Sequence, residues 1–188
     1  MSIAPYWYDV NDNKKTWTNK QIVQRSCGKF RREWETSSMK EKSYTPENYP
    51  ILRYGDVLLM LAEAENEAHQ GPTDLAYECI NEIRQRAGIS KLEGLSYTDF
   101  QQAVRDERAR ELCFESLRKY DLVRWGIYVE AVHDKLGAAT QDKRWATGNQ
   151  FIGARDYAAR TQEKHQFLPI PTIELDVNGK LEQNKYWQ

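Results

Sequence analysis

The sequence predicts a mainly α-helical protein with further helices around one helical hairpin, long ordered loops and at most a minor β element, on three observations. Apolar residues recur at helical spacing through residues 49–137, where Pro72 falls in a turn and Pro50 at the start. Charge separates the same stretch from its flanks: residues 1–48 carry +3, 49–137 carry −5 and 138–188 carry +1. The flanks are rich in polar and aromatic residues without a helical period. A length of 188 residues fits a single domain or a piece of a larger one.

The first helix is expected from Tyr54 to Gln70, with Val57, Leu58, Leu61, Ala62 and Ala68 as its apolar face. Gly71-Pro72 stops it, and Thr73 or Asp74 can cap a second helix carrying Leu75, Cys79, Ile80, Ile83 and Ala87 and ending at Gly88. Together these form an αα-hairpin. Thr98 with Gln101 fits a capping box, so a third helix should begin near Asp99 and run towards Leu117. Helical signal resumes from Tyr120 to Leu136, with Gly126 as a break. Cys27–Glu35 reads as a strand with Phe30 and Trp34 on it, and residues 138–188 read mainly as loop anchored by Leu168-Pro169-Ile170-Pro171.

Composition narrows the function. A net charge of −1 supplies no field for phosphate backbones, which argues against nucleic acid as a partner. The longest apolar run, Val57–Ala62, is far short of a membrane span, which takes about 18 residues. Cys27, Cys79 and Cys113 lack metal or disulfide spacing, and His69, His133 and His165 stand apart, so no metal and no cofactor is implied. HExxH, GxSxG, Walker A and GxGxxG patterns are all absent.

One catalytic pattern has to be weighed: Glu107, Glu111 and Glu115 repeat at i, i+4, which on one helical face suits a glycosidase carboxyl pair. Such an enzyme keeps one carboxyl protonated, whereas Arg108, Arg110, Arg118 and Arg124 favour ionisation of every glutamate. A structural charge network of Arg53, Asp56, Glu107, Arg108, Glu111, Glu115, Arg118, Asp121 and Arg124, and no enzyme, is the expectation. Rings set among amides and charges, namely Tyr6, Trp7, Tyr8, Trp17, Trp34 and Trp145, suit stacking on the C–H face of a sugar. The same rings could instead pin loops to helices. The ligand-binding candidates are Trp7, Trp17 and Trp34.

Several segments resemble the SusD/RagB-like family of outer-membrane nutrient-binding proteins. Tyr49-Pro50-Ile51-Leu52-Arg53-Tyr54-Gly55-Asp56-Val57-Leu58-Leu59-Met60-Leu61-Ala62-Glu63-Ala64 resembles its signature segment. Ile80-Asn81-Glu82-Ile83-Arg84-Gln85-Arg86-Ala87-Gly88, the Glu107–Glu115 run and Asp121-Leu122-Val123-Arg124-Trp125-Gly126 resemble further elements in the family's order. Leu168–Glu174 and Asn178, Leu181, Gln183-Asn184 and Tyr186 resemble its terminal pattern. Ser116, Lys119, Tyr120 and Gly55 depart from the usual Gly, Trp, Phe and Ala.

The resemblance implies that residues 1–188 are one C-terminal domain fragment: a loop-rich aromatic segment (1–48), a helical scaffold (49–137) and a loop-rich C-terminal segment (138–188). The helices would then be tetratricopeptide-like. It further implies non-catalytic capture of a glycan at the extracellular face of the outer membrane, and delivery to a SusC-like TonB-dependent transporter. Membrane attachment would come only through an N-terminal lipid anchor outside this chain. The alternatives are a helical scaffold that docks a transporter, or capture of a peptide.

Overall fold

The computed structural model describes residues 6–9, 11, 13–18, 27–36, 45–46, 48–140 and 149–188. Within them the chain forms two compact units, one within Met1–Lys14 and Ser26–Arg118, the other within Lys15–Arg25 and Lys119–Gln188.

Local chemistry sets the hairpin of the first unit. Helix α1 (Tyr54–His69) ends where Gln70 turns left-handed, φ 53°, and the Gly71 N–H donates to the Asn66 carbonyl. Thr73 Oγ1 then accepts from the Ala76 N–H and caps α2 (Asp74–Arg86). Gly88, φ +72°, closes α2: its N–H donates to the Gln85 carbonyl and that of Ile89 to the Arg84 carbonyl, so the free carbonyls are satisfied by a turn that only glycine enters without strain.

The core is made by Leu58, Leu59 and Ala62 of α1, Ala76, Cys79, Ile80 and Ile83 of α2, and Phe100 and Val104 of α3 (Tyr97–Glu111). The buried face of α1 is rotated from the expected one: Val57 and Leu61 are exposed, while Asp56 and Asn66 go inward. Hydropathy alone misplaces such residues because they find polar partners inside, Asp56 in Arg108 and the Asn66 side-chain N–H in the Tyr97 carbonyl, although Asn66 Oδ1 is left without one among the described residues. In α2, Leu75 and Ala87 are exposed and Ala76 takes the core position.

Helix α3 also departs from expectation at both ends. Its cap is Ser96, whose Oγ accepts from the Asp99 N–H and donates to the Asp99 carboxylate, so the helix starts at Tyr97. It stops at Glu111 rather than Leu117. The Glu111 carbonyl, which a continuing helix would offer to the Glu115 N–H, accepts from Lys29 Nζ and Arg53 Nη2; Glu115 N–H turns back to Leu112, and Phe114 and Ser116 take positive φ. Glu115 is therefore not on the helical face of Glu107 and Glu111.

Residues 27–35 do not form the expected strand. Phe30, φ 53°, breaks the extended run, and Arg32–Trp34 is a 3-10 turn. The small sheet lies elsewhere, β1 (Tyr6–Tyr8) with β2 (Lys14–Thr16).

In the second unit, α4 (Arg118–Arg124) is followed by Gly126, φ +69°, and by a π-helical segment, Glu130–Leu136, that runs into α5 (Gly137–Ala139). Leu122, Tyr128 and Val132 form its core. The expected C-terminal loop contains α6 (Asn149–Arg160) and α7 (Thr172–Val177). Among the described side chains of α6 the buried one is the small Ala158, close against Gly137, which leaves a weak apolar signal in the sequence. Further on, Pro169 and Pro171 have no N–H to donate, and the Gln183 side-chain amide satisfies both the N–H and the carbonyl of Ile170 between them (2.8 and 3.0 Å).

Candidate functional site: a charge-braced cleft

The first unit holds a cleft of about 650 Å3, lined by the rings of Phe30 and Trp34 and by the charged groups of Arg53, Arg86, Arg110 and Glu111. Trp34 is held out by local contacts. Its N–H donates to the Arg31 carbonyl, and the Arg31 guanidinium lies over both the Tyr6 ring (4.1 Å) and the Trp34 ring (5.8 Å). Glu33 fixes Arg31 (2.7 Å) and accepts from the Tyr6 hydroxyl (2.8 Å); that hydrogen bond, with burial, pushes the Tyr6 phenol above its usual pKa. Trp34 is left 63% exposed.

The charged wall is built around Arg53. Its Nε and Nη2 grip Glu115 (2.7 and 2.9 Å), and Nη1 meets Glu111 (2.8 Å). Lys29 bonds Glu115 as well, and Arg86 bonds Glu111 (2.5 Å). Glu107 is held by Arg84 (2.8 Å), with Arg110 at 3.5 Å, while Asp56 and Arg108 form a buried pair (2.8 Å). Gly55 leaves room for the Arg53–Glu111 pair, since a Cβ there would sit 3.2 Å from the Glu111 carboxylate.

Electrostatics follows from the pairing. Burial pushes the Glu111 carboxyl up, but hydrogen bonds and charge from Arg86 and Arg53 outweigh it and hold the group below the ordinary carboxylate range. Glu115 behaves alike: burial raises it, and Arg53 and Lys29 bring it down. Arg53 is in turn raised, chiefly by its hydrogen bond to Glu115. Both carboxylates are thus ionised at neutral pH and offer no proton for general acid work. The cleft can stack a ring and donate hydrogen bonds from guanidinium groups.

Of the sequence candidates, Trp34 lines the cleft. Trp7 shares its unit, on the opposite face of β1 from Tyr6, and Trp17 belongs to the second unit. Trp145 lies outside the described residues. Arg53, Glu107, Glu111 and Glu115 come together in the cleft wall with Asp56–Arg108 as a neighbouring pair; Arg118 donates to the Arg105 carbonyl (3.0 Å). Asp121 and Arg124, in the second unit, pair with each other (3.0 Å). Sequence reasoning missed Lys29, Phe30, Arg86 and Arg110 as cleft residues. Arg84 and Arg86 stand in a quoted motif, two residues apart near the end of α2, and that placement was the available signal.

The SusD family model matches residues 4–187. SusD-like protein P25 of Formosa agariphila is 40% identical over 139 residues, 72% of this chain and 23% of that protein. SusD-like protein P2 of the same organism is 29% identical over 73% of this chain and 25% of its own length. A crystal structure of a SusD homolog from Bacteroides thetaiotaomicron superposes with a TM-score of 0.76 at 32% identity, over 97% of this chain and 39% of that one. A SusD superfamily protein from Bacteroides vulgatus gives 0.56 at 30% identity, over 78% and 28%. The chain spans about a quarter of the length of the curated relatives it matches. With the family match running almost from end to end and the helical fold shared with the solved relatives, this chain belongs to the SusD family.

Proposed function

We propose that the protein binds a glycan without catalysis, at the outer membrane, and passes it to a SusC-like TonB-dependent transporter. Membership of the SusD family supports this role. The observation that carries it to particular residues is the exposed Trp34 beside Phe30, facing a wall of ionised, mutually satisfied charges. A pyranose can cover the ring with its C–H face while Arg86 and Arg110 donate to its hydroxyls. One ring supplies about 0.5–1.5 kcal/mol, so the guanidinium donors and Phe30 are needed to reach the roughly 4 kcal/mol of millimolar binding.

A panel of soluble oligosaccharides titrated into the protein, followed by tryptophan fluorescence and calorimetry, tests the reading. At least one sugar should bind and be recovered uncleaved; silence towards the whole panel counts against it. A second reading, a scaffold that only docks the transporter, draws on the exposed stripe Tyr54, Val57 and Leu61 along α1. Co-purification of a TonB-dependent transporter with no sugar affinity would favour that reading.

A further inference from the structure

The second unit contains a cavity of about 250 Å3 that shares no residue with the cleft. Tyr128, Tyr157 and Trp187 give it an aromatic floor. Tyr128 is buried, its hydroxyl against that of Tyr157 (2.5 Å), and the Trp187 indole N–H is anchored on the carbonyls of Lys164 and Phe167 (both 3.1 Å). The lining also holds Lys119, Arg160 and His165 and, among the described residues, no Asp or Glu. The Lys119 ammonium sits 5.5 Å from the Tyr128 ring centroid. Neither it nor Arg160 meets a carboxylate among the described residues. His165 Nδ1 accepts the Gln162 N–H (2.8 Å), which places the ring hydrogen on Nε2 and leaves a second donor there.

Among the described residues, donors and cations thus line an apolar floor with no carboxylate beside them. We propose that this cavity is a separate binding site for one acidic sugar ring, a pyranose bearing a carboxylate or a sulfate. The aromatic floor takes the C–H face, and Lys119 and Arg160 take the anion with charge-assisted hydrogen bonds. The volume lies below the roughly 300–1,000 Å3 of sites for drug-sized ligands, which fits a single ring rather than a longer chain.

Calorimetric titration with methyl glucuronoside, glucose 6-sulfate and neutral methyl glucoside tests the site. At least one acidic sugar should bind, about tenfold more tightly than methyl glucoside, and which of the two prevails identifies the anion. The exposed pair Lys119→Gln/Arg160→Gln should weaken that binding about tenfold with an unchanged circular dichroism spectrum, and rising salt should weaken the wild type. Trp34→Ala should leave it unchanged, which separates this site from the cleft, and the double variant should leave neutral oligosaccharide binding at the cleft intact. The proposal is overturned if neither acidic sugar binds, if methyl glucoside binds equally well, if the double variant binds like wild type, or if Trp34→Ala abolishes the binding.

Discussion

Replacing Arg53 by Met isolates what the paired charges contribute to stability. The side chain makes four contacts of 2.7–2.9 Å, to both Glu115 oxygens, to the Glu111 carboxylate and to the Glu111 carbonyl. Glu115 keeps only 4% of its side-chain surface and Arg53 23%. Removing one partner of a fully buried pair costs about 3–5 kcal/mol. Arg53's residual exposure, and the continued presence of Lys29 on Glu115 and Arg86 on Glu111, lower the expectation to about 2–3 kcal/mol. For a chain of this size that is a fall in Tm of about 4–12 °C. Arg86→Met gives the contrast: its side chain is 60% exposed and bonds one carboxylate, so it should cost under about 1 kcal/mol. Arg53→Lys should fall between, since it keeps the charge and loses the fork. Urea unfolding followed by far-ultraviolet circular dichroism measures all three. Equal losses for Arg53→Met and Arg86→Met, or a loss under about 0.5 kcal/mol for the former, would mean that the Arg53 pairing does not brace the cleft wall.

Acid should destabilise the protein through Glu111 and Glu115: their folded pKa values lie below the unfolded ones, so their contribution is complete above the unfolded carboxylate range and is lost as pH falls through the folded values. Urea midpoints should hold steady above about pH 5 and drop below it, and Glu115→Gln should flatten the drop. At the alkaline end, burial and the Tyr157 hydroxyl push Tyr128 up to about 12; raised above its unfolded value, it stabilises below about pH 10 and loses that contribution as pH rises through the folded value. Absorbance titration should show a tyrosine ionising at about pH 12, above the ordinary tyrosines, and Tyr128→Phe should remove it. Gln183→Ala removes three hydrogen bonds, two to Ile170 and one to the Asn184 N–H. The Ile170 amide should then exchange hydrogen faster, with a stability loss of about 1–3 kcal/mol.

The hairpin was legible because Gly71-Pro72, Thr73 and Gly88 act through their nearest neighbours, and those signals place α1 and α2 to within a residue or two. The C-terminal end of α3 was not, because it depends on Lys29 and Arg53, some 82 and 58 residues away in sequence, taking the Glu111 carbonyl. The inward turn of Asp56 and Asn66 was hidden for the same reason: their partners, Arg108 and Tyr97, both lie on α3. Helix α6 escaped in part because its buried position among the described side chains is an alanine, Ala158, whose small apolar surface signals burial weakly. At the cleft, the charged residue types were visible in the sequence, whereas the turn at Phe30 beside Trp34, which replaces the expected strand, was not.

In the proposed role the exposed Trp34 ring holds a sugar while the cleft carboxylates stay ionised and paired. Its most direct test is calorimetric titration of a bound oligosaccharide into wild type and Trp34→Ala, with chromatography of the sugar afterwards. Trp34→Ala should lower the affinity about 2- to 12-fold, with the sugar recovered intact. Unchanged affinity in Trp34→Ala, or cleavage products that vanish in Glu111→Gln, would contradict it.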